Sequence, residues 1–318
     1  MMRMALVLGA SGGIGGETAR ALIEKGWHVR GLSRTPRHGD GIDWRTGDAL
    51  DRTAVLAAAQ GTQAIVHAVN PPGYRDWDRL VMPMLDNSIA AALANGARLA
   101  LPGTIYNYDP AVTPLAQPDT AQHPRTRKGA IRRAMEERLT TTPGLRSLIL
   151  RAGDFFGPRP GNSWFSQGMI KPGKAVYSVT NPSRGSVGHA WAYLPDVAET
   201  FARLLDQEER LPPFARYHFD GHWDPDGRTF AHAVLRAAGA PNGAIWSFPW
   251  FILPLAGLFS VTMRELREMQ PFWTHAVRLD NATLVDAIGS EPQTLLDEAL
   301  RVTLAALGCL SGPPAARY

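Results

Sequence analysis

Two stretches of the 318-residue chain hold residues whose types and spacing suit chemistry on a phosphorylated ligand. In the first, MALVLGASGGIGGETARAL, an apolar run meets Gly9, Gly12 and Gly15, spaced G-x-x-G-x-x-G, and a helical pattern begins at once. Glycine alone lets the backbone turn this tightly and lets phosphate approach the N–H groups of a helix start, where the helix dipole favours an anion. Gly9, Ser11, Gly12, Gly13, Ile14 and Gly15 are therefore candidates to cradle the pyrophosphate of a dinucleotide. A purely structural turn would leave the regular spacing unexplained.

The second stretch is QHPRTRKGAIRRAMEERL, whose lysine, Lys128, is one of only four beside 29 arginines. Where charge alone is needed this chain uses arginine, so a retained lysine points to a cation that can give up its proton. Lys128 also shares a helical stripe with Ile131, Met135 and Leu139, while Arg133 and Glu137 point elsewhere. That stripe should face a sheet, which makes Lys128 a ribose ligand or an acid/base; the alternative is a side chain snorkelling at the helix start.

About 20 residues beyond the glycines, a site for NAD would place a carboxylate on the ribose 2′-OH. Here the chain reads RGLSRTPRHG, without an acid. Ser33 can hydrogen-bond a 2′-phosphate and Arg34 offers a planar fork for it, so NADP(H) is preferred over NAD(H). A solvated loop arginine is the alternative for Arg34. In TGDALD, Asp48, with Ala49 beside it, can accept the adenine amino group or cap the next helix.

These residues need a scaffold, and the pattern supplies one. Short apolar runs at Met4–Leu8, His28–Leu32, Ala64–Ala68, Arg98–Leu101 and Ser147–Leu150 read as buried strands. Gly13–Lys25, Thr53–Ala59, Trp77–Asn95 and Thr126–Thr140 read as helices between them. The order predicts an α/β fold, a doubly wound parallel Rossmann-type sheet that binds ligands at the carboxyl ends of its strands. Residues 1–156 form this dinucleotide-binding domain, which a helix and strand near 190–220 rejoin. Residues 157–318 read mainly as a smaller, mostly helical C-terminal substrate lobe.

Composition narrows the function. The net charge of +4 is small, and the arginines are scattered without interleaved aromatics, so nucleic acid is excluded as a partner. A single cysteine, Cys309, fits a reducing compartment, and the N-terminal apolar run is too short for a signal peptide, so the expected location is cytoplasmic. No metal site is expected. The uncharged segment Ala244–Val261 approaches the length of a membrane span, but Pro249 and Pro254 interrupt it and favour a pocket wall. A homodimer is compatible with the sequence and not required by it.

The chain resembles atypical or extended short-chain dehydrogenases/reductases, the NAD-dependent epimerase/dehydratase-like family. The likeness rests on GASGGIG, the GD of TGDAL, IVHAVNPP, GTIYNYD, LILRAGDFFGP and HAWAYLPDVAETF. It implies that His67, Ala68 and Asn70 lie along the cofactor, that Arg151 to Phe156, Phe155 included, border the nicotinamide, and that Asp196 fixes a helix start. It also implies a catalytic Y-x-x-x-K and an orienting serine. Lys128 fits the lysine, yet Pro124 occupies the tyrosine position and Pro102 the serine position; Thr104 stands two residues from the latter. Tyr106, Tyr108, Tyr74 and Asp154 are the other candidate proton donors, with Lys128, Tyr106 and Thr104 the catalytic set, and His189 and His218 read as ordinary hydrogen-bonded residues.

Trp164, Phe165, Trp246, Phe248, Trp250 and Phe251 either line an apolar substrate pocket or pack a small core. The leading function is an NADP(H)-dependent oxidoreductase that reduces a carbonyl or activated double bond of an apolar small molecule. A catalytically silent NADP(H)-binding sensor and a sugar epimerase or dehydratase are the alternatives.

Overall fold

The computed structural model describes residues 3–71, 76–161, 163–256 and 261–310. In chain order the first half forms β1 (Met4–Leu8), α1 (Gly13–Glu24), β2 (His28–Ser33), β3 (Asp43–Thr46), α2 (Arg52–Ala59), β4 (Ala64–His67), α3 (Trp77–Asn95), β5 (Arg98–Thr104), β6 (Leu115–Ala116), α4 (Arg127–Thr141) and β7 (Arg146–Ala152). The second half adds β8 (Asp154–Phe156), β9 (Ser178–Asn181), β10 (His189–Tyr193), α5 (Leu194–Asp206), β11 (Phe214–His218), β12 (His222–Asp224), α6 (Thr229–Ala237) and β13 (Ala244–Ser247). It closes with α7 (Leu253–Ala256), α8 (Val261–Glu268), β14 (Arg278–Leu279), α9 (Ala282–Ile288) and α10 (Leu296–Ala306).

Seven strands pair in parallel in the order β11-β7-β5-β4-β1-β2-β3. The alternation of a strand explains the two cores. Ala5 and Val7 of β1 pack with Leu22 of α1 and Phe201 of α5. Leu6 and Leu8 pack on the other face with Val55 of α2, Leu85 of α3 and Met135 of α4. Burial on both faces is why these strands read as unbroken apolar runs. The strand order reverses at β1, between β4 and β2, and a crevice opens there beyond Leu8 and His67, which are register partners.

β5 extends three residues past its apolar run, through Pro102. The Arg98 N–H donates to Gln63 O, toward β4, so by alternation residues 100 and 102 face that side too. β4 pairs with β5 only as far as Ala100. Pro102, which has no N–H, stands where the next such bond would be made, just beyond the end of that pairing.

The second half builds a further core from three small sheets, β12-β10-β8, β13-β9 and β14-β6, with α6 and α10. Trp191 stacks on Phe230 at 4.2 Å, and Phe156, Trp273 and Leu300 are buried around them. The apolar stretch from Ala244 is cut into β13, a single turn at Trp250–Ile252 and α7. No helix of the described residues is long and apolar enough to cross a membrane.

Candidate active site

The glycine loop is built for close approach. Gly9 has φ +88°, and a Cβ there would meet Ala68 O at 2.5 Å; a Cβ on Gly13 would meet Arg159 O at 2.6 Å. Gly12 is the N-cap of α1 and supplies no side-chain cap, and no acidic residue stands in the first turn. The first intrahelical bond is Gly16 N–H to Gly12 O, which leaves the N–H groups of Gly13, Ile14 and Gly15 at the helix start without intrahelical acceptors. These features fit a dinucleotide pyrophosphate. Gly15 does not line the cleft: its Cβ would stand 2.3 Å from Gly9 O, so this glycine lets helix and loop pack.

Two cavities meet at Gly12, Ala68 and Asn70. The first, of about 380 Å³, carries Gly9, Ser11, Ser33, Arg34, Asp48 and Ala49, residues suited to the adenosine half of a dinucleotide. Arg37 joins Arg34 there, a second cation that the sequence reading did not single out. Asp48 Oδ1 accepts the Leu50 N–H at 2.9 Å and shapes the turn, whereas the cap of α2 is Asp51, which accepts from Thr53 and Ala54.

The other cavity, of about 350 Å³, carries Gly13, Ile14, Thr104, Lys128, Asp154 and Phe155, with Tyr106 among them. Lys128 is 3% exposed and lies on the buried stripe of α4 with Met135 and Leu139. Its backbone N–H donates to Glu268 Oε1 at 2.9 Å, and its Nζ lies 4.0 Å from Glu268 Oε2. Thr104 Oγ1 accepts the Tyr106 N–H at 3.1 Å and so caps the turn Ile105–Asn107. The Tyr106 hydroxyl donates to Asp154 Oδ1 at 2.8 Å, and Asp154 Oδ2 is 2.8 Å from Nε2 of buried His189. Trp77, Arg132, Trp164 and Met269 complete the wall opposite the glycine loop.

Several expected residues lie elsewhere. Pro124 is not on α4 at all: the helix starts at Arg127 behind its cap Thr126, so the position four before Lys128 does not share its face. Neither Pro124 nor Pro102 lines the cleft. Tyr108 is fully buried away from it and cannot serve as its acid. His67 is also a correction: its ring is 2% exposed and turned into the packing of β4 on α3, with Nδ1 2.7 Å from Ser88 Oγ. Ser88 itself donates to Met84 O, so the imidazole donates from Nδ1, and Nε2 is buried without a hydrogen-bond partner. Burial, with Arg132 nearby, pushes its pKa down to about 3.

Of the six aromatic residues read as either pocket lining or core, only Trp164 lines the cleft. Phe165 and Trp250 are core, Phe248 packs on Trp164 and Trp250, and Trp246 and Phe251 face solvent. Tyr74 falls outside the described residues. Asp196 accepts from the N–H and hydroxyl of Thr294, pinning α5 to the C-terminal segment.

Behind the cleft stands a buried network that the sequence pattern concealed. Glu136 of α4 accepts from four N–H groups: Arg151 Nε at 2.9 Å, Arg151 Nη2 at 2.5 Å, Asn107 Nδ2 at 2.9 Å and Gln122 Nε2 at 2.8 Å. Arg151 Nη1 also donates to the Tyr108 hydroxyl at 2.6 Å. His218 donates from Nδ1 to Ala116 O, and burial together with Arg151 drives its pKa down to about 3. With every charge paired, the network fixes the loop between β5 and α4 against the sheet; removing one partner would strand a buried charge at about 3–5 kcal/mol.

The comparisons with known proteins agree with this scaffold. No curated protein matches the chain in sequence. Among solved structures it is similar to the Bordetella bronchiseptica enzyme WbmH in complex with NAD+, at 20% identity and a TM-score of 0.70, over 96% of this chain and 98% of that one. It is similar to UDP-N-acetylglucosamine 4-epimerase from Bacillus cereus at 15% identity and a TM-score of 0.72, over 98% and 99% of the two chains. A third is TunA, an NAD dependent NDP-hexosamine 5,6-dehydratase involved in tunicamycin biosynthesis, at 16% identity and a TM-score of 0.68, over 96% and 97%. At such identities these likenesses carry the fold. Residues 5–218 match a sequence family directly, and that span exceeds half of the chain. The chain belongs to the NAD dependent epimerase/dehydratase family.

Proposed function

We propose that the protein is an NADP(H)-dependent oxidoreductase that acts at a carbonyl or activated double bond of a small, largely apolar molecule. The observation that carries this is the meeting of Lys128 with the Tyr106–Asp154 pair in the same cavity as the glycine loop. A bound nicotinamide dinucleotide supplies or accepts hydride. The protein's own work is to hold and to exclude water. Gly12, Gly13 and Ile14 offer N–H groups to the pyrophosphate, Lys128 binds the ribose hydroxyls, and Trp77, Trp164 and Met269 wall the substrate from solvent.

Ser33 and Arg34 support the preference for NADP(H), since a 2′-phosphate can take a bidentate guanidinium there. Asp43, the nearby acid on β3, is bound to Arg30 and Arg45 and lines neither cavity. A second reading, epimerisation or dehydration of a nucleotide sugar, is favoured by the full-length likeness to enzymes of that kind. The deciding experiment offers the protein NADPH with apolar ketones, aldehydes and enones, and separately NAD+ with UDP-glucose and UDP-N-acetylglucosamine. Net NADPH consumption with ketone or enone reduction supports the oxidoreductase. Conversion of the UDP-sugar without net cofactor turnover supports the second reading. Tight NADPH binding with neither reaction would instead indicate a silent dinucleotide sensor.

A further inference from the structure

No tyrosine lies on α4, and the cleft has a phenol elsewhere, at Tyr106. We propose that Tyr106, Asp154 and His189 form the proton relay of this site: Tyr106 exchanges a proton with the substrate oxygen, Asp154 takes or returns that proton, and His189 positions Asp154. The proposal rests on the preceding reading, that hydride is exchanged at a carbon bearing oxygen.

Three observations carry it. The hydrogen bonds are continuous: the Tyr106 hydroxyl donates to Asp154 Oδ1 at 2.8 Å, and His189 Nε2 meets Oδ2 of the same carboxylate at 2.8 Å. Tyr106 and Asp154 both face the cavity that holds Lys128 and Phe155, while His189 stands behind them at 3% exposure. Each member is also clamped. Thr104 Oγ1 fixes the Tyr106 backbone, Phe272 packs on its ring at 5.2 Å, and β8 pairs with β10 so that Asp154 is the register partner of Trp191. The His189 ring stacks on Trp273 at 3.7 Å and 12° and meets Trp191 edge-on at 5.1 Å. A tyrosine that merely packed against the wall would need neither a carboxylate on its hydroxyl nor an imidazole on that carboxylate's far oxygen. The arrangement follows the geometric logic of an acid/base oriented by a third group.

In the direction of alcohol oxidation, the substrate O–H bond breaks and its proton goes to the Tyr106 oxygen as the phenolic proton passes to Asp154 Oδ1. The electron pair left on the substrate oxygen forms the carbonyl bond as the hydride departs with the carbon–hydrogen pair, which a bound NADP+ would accept. In reduction the same protons travel back and the carbonyl oxygen becomes a hydroxyl. His189 keeps its Nε2–H on Asp154 throughout and so holds the carboxylate toward Tyr106.

Two measurements test the relay, one of them independent of turnover. The first reads by heteronuclear NMR which ring nitrogen of His189 carries its proton in wild type. The relay requires Nε2–H held on Asp154 Oδ2; a ring protonated on Nδ1 alone overturns it. The second follows NADPH oxidation by phenanthrenequinone and benzaldehyde, with NADPH affinity measured alongside by fluorescence. Tyr106→Phe should bind NADPH as wild type does and lose activity by at least about a hundredfold; a wild-type rate overturns the proposal. His189→Gln, which can still donate to Asp154, should keep more activity than His189→Phe, which keeps the stack on Trp273 and lacks the donor. Equal rates in the two would overturn the positioning role. Should wild type bind NADPH and reduce neither probe, the oxidoreductase reading is what fails, and the His189 tautomer still tests whether Asp154 is held toward Tyr106.

Discussion

Glu268, at the end of α8, closes the start of the helix that carries Lys128: its Oε1 accepts the Lys128 backbone N–H at 2.9 Å, and its Oε2 lies 4.0 Å from the same residue's Nζ. Thr126 caps the next donor, the N–H of Gly129, so two of the four orphan donors of α4 have side-chain acceptors from different parts of the chain. Glu268→Ala should lower stability by about 1–2 kcal/mol, because it strips a partly buried cap. Glu268→Gln keeps an oxygen acceptor and should cost less than about half of that. Urea unfolding of the two variants checks the order; equal losses would mean that the charge near Nζ, not the cap, is what counts.

The glycines separate folding from binding. At Gly12 a Cβ meets only Gly9 O, at 3.3 Å, and otherwise points into the cleft, whereas at Gly15 it would stand 2.3 Å from Gly9 O and 2.6 Å from Gly9 C. Gly12→Ala should therefore fold with a loss below about 1 kcal/mol and weaken NADPH by at least about tenfold, since a methyl group occupies phosphate space. Gly15→Ala should destabilise the protein by about 2 kcal/mol or more through a backbone clash. Thermal unfolding and fluorescence titration together read both effects. Equal binding loss at equal stability would show that Gly15 is a ligand position after all.

The legible parts of this protein are those where one short-range rule decides the outcome. The strands from Met4 to Leu150 are buried on both faces, so hydrophobicity alone marks them, and the glycine loop is marked by the backbone it requires. Lys128 was legible because a lone lysine on an apolar stripe violates the habit of an arginine-rich chain. Glu136 was not, because it is one of seven charged residues of α4, and its burial depends on Arg151, a partner supplied by β7. The convergence of Tyr106, Asp154 and His189 was equally hidden: each comes from a separate element, and only the pairing of β8 with β10 brings the last two together. The aromatic residues stayed ambiguous for the opposite reason. Their composition allows a pocket or a core, and whether Trp246 faces solvent or Trp250 the core depends on where a short strand ends.

Cofactor choice turns on the end of β2. Ser33 and Arg34 line the cavity of about 380 Å³ beside the glycine loop, and Asp48 is the only carboxylate among the described residues that line it. Arg34→Ala should weaken NADPH by roughly 10- to 100-fold, the worth of a charge-assisted hydrogen-bond pair, and change NADH by less than about threefold. Fluorescence titration with the two cofactors measures the ratio. An unchanged NADPH affinity would transfer the 2′-phosphate to Arg37 or remove the preference altogether.

Two buried histidines should make the fold sensitive to acid. His67 and His218 are neutral in the folded protein, each with its pKa pushed from 6.5 down to about 3, first by burial and then by a neighbouring arginine, Arg132 for the one and Arg151 for the other. The unfolded chain therefore binds more protons than the folded one between pH 6.5 and about 3, so stability falls as pH falls through that window. By pH 5 the loss relative to pH 7 should be about 2 kcal/mol for each histidine. The two sites differ in what replaces them. His67 makes one hydrogen bond, to Ser88, and Gln can span it, so His67→Gln should remove close to half of the acid sensitivity at modest cost at pH 7. His218 is bonded to Ala116 O and sits within hydrogen-bond distance of Tyr108 and Arg151, so its replacement should also cost stability at neutral pH. Urea unfolding at pH 7 and pH 5 separates these terms. A stability that is flat across that interval in wild type would mean that both imidazoles gain a proton within the fold.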